Sequence, residues 1–247
     1  MVTTADATLA DLVRECPQRA GLFAQLGLDF CCHGRQSLAA ACNERGLDLA
    51  EVCRQLDELP AESAADNWHE WPLARLADDI VARHHAYVRR ELPRLRALCR
   101  TAQTTHGSSH PELLPLAEVL ADLAQELDQH MFKEEHVLFP WVKQLELGTA
   151  VGAPPFGSVQ NPIRVMEDEH RQAAEALERA RVLTRNFTPP ADACAAFEAL
   201  FEGLRALDAD LRLHIYKENH VLFPRALALE AHVLSRSAAM PDVLPLD

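Results

Sequence analysis

The chain has 247 residues, 48% of them hydrophobic, enough apolar content at that length for a sizeable buried core. A formal net charge of -13 argues against nucleic acid or an anionic membrane as the main partner. Seven cysteines, an odd number with two adjacent, fit reduced thiols better than a disulfide framework, and nine glycines among long Leu/Ala-rich stretches predict an all-α protein.

Met1 to Ala10 has neither the basic start nor the apolar run of a secretory leader. No later stretch approaches the roughly 18 apolar residues of a membrane span, so the expected location is cytoplasmic. Residues 1–60 read as a small domain of short helices. Thr8 is placed to cap a helix running to Glu15, and Pro17 to open a second that stops at Gly27. Ser37 and Asp48 can cap two more, with Gly46 between them. Between the second and third helices lies Asp29-Phe30-Cys31-Cys32-His33-Gly34. Vicinal cysteines just before a helix N-terminus, which lowers a thiol pKa, make Cys31 and Cys32 candidates for catalytic thiols, against the plainer reading of a buried turn. The spacing is wrong for a zinc ribbon. Cys16, Cys42, Cys53, Cys99 and Cys194 fall in helical patterns and read as small core residues.

Pro60 to Asn67 has the polar composition of a linker. A long helix then runs from Trp71-Pro72 to about Arg100, bent or broken at Pro93, and Thr101 to His110 reads as a loop with solvated His106 and His110. The second helix covers Pro111 to about Leu147, with a kink at Pro140, and Gly148 to Gln160 connects it to the third. The third starts near Asn161-Pro162 and ends before Thr188, and the fourth spans about Ala191 to Ala231. Four long helices joined in this way predict an up-down-up-down four-helix bundle over 68–231, followed by a C-terminal tail, 232–247.

The bundle carries a duplication. His130-Met131-Phe132-Lys133-Glu134-Glu135-His136-Val137-Leu138-Phe139-Pro140 recurs 84 residues later as His214-Ile215-Tyr216-Lys217-Glu218-Asn219-His220-Val221-Leu222-Phe223-Pro224, identical at eight of eleven positions. In each copy a His and a Glu stand four residues apart, on one helix face one turn apart. Counting back from His130 by 3, 7, 10 and 14 gives Leu127, Leu123, Leu120 and Leu116; the same offsets from His214 give Leu211, Leu207, Leu204 and Leu200. Both histidines therefore continue an apolar seam into the bundle interior. An imidazole and a carboxylate in a core cost several kcal/mol without partners, and a metal supplies them. The first helix of each half adds His85 and His170, 85 residues apart and each followed by Leu at seven and thirteen residues.

His85, His130, Glu134, His170, His214 and Glu218 are too many ligands for one tetrahedral zinc. They suit two metals with the glutamates bridging and two histidines on each, and nitrogen and oxygen donors without sulfur favour iron or manganese. Glu126 and Asp210, one turn before His130 and His214, put an acid on the ligand face in both halves. With Glu169 they are candidates to orient an imidazole or line a polar access path, the alternative being a solvated helix edge. His84 is expected at the surface, His136 and His220 beside the site or in packing, and Tyr87 and Tyr216 in packing.

In these motifs the sequence resembles the hemerythrin-like di-iron proteins of the RIC (repair of iron centres) family over nearly the whole chain. The resemblance rests on Asp29-Phe30-Cys31-Cys32-x-Gly34, His85, His130-x-x-x-Glu134 before Leu-Phe-Pro, Met166-Glu167-x-Glu169-His170, and His214-x-x-x-Glu218 before the second Leu-Phe-Pro. The family pattern has glycine where this chain has His33. The resemblance implies a hemerythrin-like bundle holding two non-haem iron ions on the same six residues, bridged by oxo and carboxylate groups. It implies a stress protein whose partners are damaged or apo iron-sulfur proteins, with nitric oxide or dioxygen as small ligands. Iron donation and nitric oxide reduction both fit that role, the second a nitric oxide reductase activity in which Cys31 or Cys32 relays reactants. An oxygen or nitric oxide binding module, and a purely structural metal bundle, are the competing readings; a homodimer is compatible with all of them.

Overall fold

The computed structural model describes residues 5–59, 68–149 and 154–239. The expected linker at 60–67 and the last residues of the expected tail, 240–247, lie outside them. Among the described residues the chain is helical, and its one β-type pairing is an isolated bridge between Thr8 and Ser37.

The short N-terminal helices begin and end at the residues whose chemistry suits those positions. Helix α1 (Leu9–Glu15) starts behind Thr8, whose hydroxyl accepts from Asp11 N–H. Helix α2 (Arg19–Leu26) ends at Gly27 with φ 70°, a left-handed position that costs glycine nothing. Helix α3 (Leu38–Arg45) is capped by Ser37 and stopped by Gly46, and α4 (Leu49–Asp57) is capped by Asp48.

The bundle follows. Its first helix comprises α5 (Leu73–Asp79), a π-helical turn over Ile80–His85, and α6 (Ala86–His106). The second comprises α7 (Leu113–Lys133), a π-turn over Glu134–Leu138, and α8 (Phe139–Leu147). The third, α9 (Gln160–Leu183), is unbroken. The fourth comprises α10 (Ala195–Lys217), a π-turn over Glu218–Leu222, and α11 (Phe223–Ala239). Helix α6 packs on α7 and α10, and α7 on α9.

Several expected boundaries move. Residues 101–106 are helical, not loop; α10 starts four residues later than expected, and α11 continues beyond 231 to Ala239. Pro93 does not break α6, because it faces solvent and the carbonyl it frees on exposed Arg89 is open to water. The kink expected at Pro140 takes the form of the π-turn just before it, and Pro224 repeats the arrangement. A proline ring presses on the carbonyl four residues back, and a wider turn relieves the pressure.

Two apolar clusters fill the interior. One joins the N-terminal helices to α5, α8 and the start of α11, with Phe23, Phe30, Tyr216 and Phe223 fully buried. The other holds the leucine seam of α7 and α10 with Leu92, Leu95 and Leu177. Each such leucine contributes roughly 1.5–3 kcal/mol by leaving water. Along every bundle helix the ligand candidates fall between residues of the two clusters, so the polar layer is closed off at both ends. Duplicated carboxylates clamp the helix starts: Glu146 accepts from Leu73 N–H and Ala74 N–H, and Glu230 from Val159 N–H and Ser158 Oγ.

Candidate metal centre

All six residues singled out as ligands meet in that layer, brought there by the seam that carries His130 and His214 and by the π-turns that hold His85, Glu134 and Glu218. They form two quartets, His85, Glu134, His214, Glu218 and His130, Glu134, His170, Glu218, whose ligand atoms all lie within 4.8 Å of one another. The two carboxylates are common to both, as two bridging groups require, and each quartet takes one histidine from each half of the chain.

The histidine orientations show what the layer wants. His85 Nδ1 donates to Glu135 (2.6 Å), His130 Nδ1 to Glu169 (2.9 Å) and His170 Nδ1 to Asn219 Oδ1 (2.8 Å). With those three Nδ1 protons so committed, the Nε2 atoms turn inward and meet in pairs, 3.2 Å apart between His130 and His170 and between His85 and His214. Two imidazole nitrogens at that separation need a proton or a metal cation to serve them, since two lone pairs alone would repel. Both oxygens of Glu134, a fully buried side chain, lack a hydrogen bond; Glu218 Oε2, 3.0 Å from His170 Nε2, is also without one. A buried carboxylate left in that state costs at least 1–3 kcal/mol, roughly. Divalent cations of the first transition row, which take imidazole and carboxylate donors, fit the vacancies in the bonding.

Protons reflect the same demand. Burial pushes the His130 imidazole down, yet Glu134, with Glu169 and Glu218, holds its pKa up at about 10. His214 goes the other way: burial pushes it down to about 4 against the pull of Glu218, and its Nδ1 has no partner. Each ligand face is closed by an aromatic ring, with Phe139 stacked 6.0 Å from His85 and Phe223 5.9 Å from His170.

Of the three acids expected to assist, Glu169 holds His130, and its other oxygen binds Lys133. Asp210 bonds His84 (2.9 Å) and not His214, and Glu126 stands exposed at a cavity mouth without touching an imidazole. The expectation of a surface His84 is overturned. It is buried, stacked on His214 at 5.4 Å and 4°, because α10 covers the side of the helix that a simple wheel leaves to solvent. Glu135 and Asn219 were not foreseen. They occupy the same position in the two copies, directly after the ligand candidate, and that shared position was the available clue. His136 is exposed and bonds Phe132 O, away from the centre, and Tyr216 is buried, donating to Ala10 O. His106 ends α6 and His110 pairs with Glu112 and Asp192, so neither is a free loop residue. Cys42 and Cys99 are buried, whereas Cys16 and Cys194 cap helices and Cys53 is half-buried.

The cysteine turn is docked on the centre. Cys31 O accepts from Asn219 Nδ2 (3.2 Å) and His220 Nε2 (3.0 Å), so a single amide joins that turn to His170. Cys32 Sγ lies 3.7 Å from His170 O. Asp29 gathers both cysteine N–H groups, and although burial opposes its ionisation, Cys32 N–H, His33, Cys31 and Arg212 bring its pKa to about 2. Cys31 is no activated thiolate. Its hydrogen bond with Cys32, its burial and nearby Asp29 push the thiol well above the ordinary range, outweighing any downstream helix dipole. Cys32 borders an open groove of about 860 Å³ between α3 and the α9 face.

A family model described as the hemerythrin HHE cation binding domain matches residues 76–226, and one described as a domain of unknown function (DUF542) matches residues 5–60. The iron-sulfur cluster repair protein YtfE of Citrobacter koseri is 38% identical over 225 residues, covering 91% of this chain and 98% of that protein. YtfE of Escherichia coli O157:H7 is likewise 38% identical, and that of Shigella boydii 37%, over the same shares.

Proposed function

The chain belongs to the hemerythrin-type family of iron-sulfur cluster repair proteins, and from that premise we propose that its two quartets hold a pair of iron ions delivered to damaged clusters. The observation that carries the reading is the buried carboxylate pair shared by both quartets, in which both oxygens of Glu134 and Oε2 of Glu218 have no hydrogen bond within the protein. Bound iron would supply a redox couple, a Lewis acid and the transferable ion itself.

The chain's own groups then have defined tasks. Glu135, Glu169 and Asn219 keep three imidazoles in the tautomer that presents Nε2 inward. Glu134 and Glu218, common to both quartets, would serve both ions, and protonation of a ligand histidine would weaken the hold on them. Cys32, at the groove and against the His170 backbone, is where a client's iron ligand or a thiol-bound reactant would meet the centre, with Cys31 behind it as a reserve thiol. The matched segments support a division of labour between residues 1–60, which present the cysteines, and residues 68–231, which hold the metals. Reduction of nitric oxide at the same centre is part of the proposal, as is a cytoplasmic location; no helix among the described residues is long and apolar enough to cross a membrane.

A hemerythrin-like oxygen or nitric oxide binding role uses the same bundle but gives the docked cysteine turn nothing to do. The test is reactivation of a cluster enzyme inactivated by nitric oxide. Iron-loaded protein should restore it, and Glu134→Leu and Cys32→Ala should each lower the yield at least tenfold. Full reactivation by the Glu134→Leu protein would refute the reading.

A further inference from the structure

Asp29, Cys31 and Cys32 bring together a further set of ligand atoms outside the six-residue layer, one oxygen and two sulfurs within 4.8 Å of one another. The turn that carries them is fixed through its backbone. Asp29 Oδ1 accepts from Cys31 N–H (3.2 Å) and Cys32 N–H (2.9 Å), and Cys31 O is held from the bundle side by Asn219 and His220. Neither thiol is needed to hold the turn, so both are available to a ligand.

The spacing of the sulfurs is that of a chelate. Cys31 Sγ and Cys32 Sγ are 3.9 Å apart. Two thiolates on one tetrahedral ion, each about 2.3 Å from it, stand about 3.8 Å from each other. Cys31 S–H donates to Asp29 Oδ1 at 3.1 Å, and a cation shared by sulfur and carboxylate would take the place of that proton.

The surroundings suit a divalent ion. Two thiolates and a carboxylate leave one negative charge around it. Behind the turn, Arg212 stands 4.0 Å from Asp29 and 3.0 Å from Asp208, whose other oxygen takes Arg181. That buried triad carries one positive charge and balances the site; Glu178, within 4.0 Å of both arginines, is answered by Arg45 at 2.8 Å. On the other side His33 Nδ1 donates to Asp29 Oδ2 (2.7 Å), an outer hydrogen bond of the kind that fixes a ligating carboxylate. Cys31 and Cys32 both line the groove of about 860 Å³, which gives an ion its way in and has room for a water as fourth ligand.

We propose that Asp29, Cys31 and Cys32 bind a thiophilic cation of the zinc class, with His33 holding the carboxylate and a water from the groove completing the tetrahedron. Sulfur donors select softer ions than the nitrogen and oxygen donors of the buried layer, so the two places sort cations by type. No electrons move on binding: each ligating thiol forms a sulfur–metal bond and gives one proton to solvent. The site shares no residue with the layer and does not rest on the iron reading.

Cadmium(II) titrated into the reduced full-length protein tests it, because cadmium gives a strong ultraviolet charge-transfer band when thiolates bind it and the layer contains no sulfur. The band should saturate at one cadmium per chain, with one proton released per thiol, and zinc should displace it. Cys31→Ser and Cys32→Ser should each lower affinity at least a hundredfold, His33→Gly about 10–100-fold, and Cys53→Ser should leave it unchanged. Circular dichroism checks that each variant is folded; should buried Cys31→Ser unfold, Cys32→Ser and exposed His33→Gly carry the test. X-ray absorption of the zinc-loaded protein should show two sulfurs beside lighter ligands. A band that survives in Cys32→Ser, affinity unmoved in His33→Gly, or a zinc shell without sulfur overturns the proposal, whatever the outcome of cluster reactivation.

Discussion

Replacing Glu134 by leucine should separate what the fold needs from what the metal needs. Glu134 is fully buried and neither oxygen has a hydrogen bond; its nearest cationic neighbours, His85 Nε2 and His130 Nε2, are both 3.3 Å away. Removing one member of a buried ion pair ordinarily costs about 3–5 kcal/mol, because the other charge is stranded. Here the stranded group is an imidazole, which Glu134 holds up at about 10 against burial and which is free to shed its proton once that carboxylate is gone. Leucine fills a similar volume and removes an unsatisfied carboxylate worth about 1–3 kcal/mol. At pH 8 the metal-free variant should therefore be as stable as the parent or more so by up to about 2 kcal/mol, a rise in Tm of roughly 0–8 °C at 2–4 °C per kcal/mol. Anaerobic iron(II) at a hundred times its Kd should then stabilise the parent by about 2.7 kcal/mol and leave the variant nearly unmoved. Differential scanning calorimetry of both proteins, with and without iron, reads all four values. A metal-free variant melting several degrees below the parent would refute the reasoning, since Glu134 would then be satisfied by the protein alone.

Three further outcomes follow from the junction between the cysteine turn and the bundle. Asn219→Ala removes the acceptor that fixes His170 and the donor to Cys31 O, and should lower metal affinity about 10–100-fold in chelator competition; unchanged affinity would show that His170 needs no such support. Asp29 has a folded pKa of about 2, below its model-peptide value of 3.8, so its contribution is complete above pH 4 and is lost as pH falls through 2. The difference is worth about 2 kcal/mol, and Trp68 fluorescence during denaturant unfolding should record it in the parent and not in Asp29→Asn. Gly34→Ala would set a methyl 2.5 Å from Phe30 O and 2.7 Å from His220 Nε2, so the turn must shift; a loss of about 1–3 kcal/mol in urea unfolding is expected, and a neutral substitution would mean the turn is loosely held.

What could be read from the chain alone was whatever repeats or obeys local stereochemistry. The eight leucines before His130 and His214 identified the interior face, and Thr8, Ser37, Asp48, Gly27 and Gly46 act where capping and left-handed glycine chemistry put them. The groups that escaped notice are those in which the copies differ. Glu135 and Asn219 do one job with two chemistries, so the repeat disguised them as unrelated residues. His84 was misjudged because the side of a helix facing solvent is settled by its neighbours, here α10, and not by its own sequence. The π-turns at Ile80–His85, Glu134–Leu138 and Glu218–Leu222 likewise leave no periodic trace, although Pro140 announced a disturbance beside the second of them.

The crossing of histidines between the halves bears on how such a protein arose. His85 is joined by His214 and His130 by His170, so a polypeptide consisting of one half alone would own no complete quartet. An ancestor of half the length would have had to pair with itself to gather iron, and fusion of two genes would then have turned a contact between subunits into an interior. Covalent joining also frees the two copies to differ, and His84 in one half against Glu169 at the matching position of the other is a difference that a self-paired chain could not confine to one side.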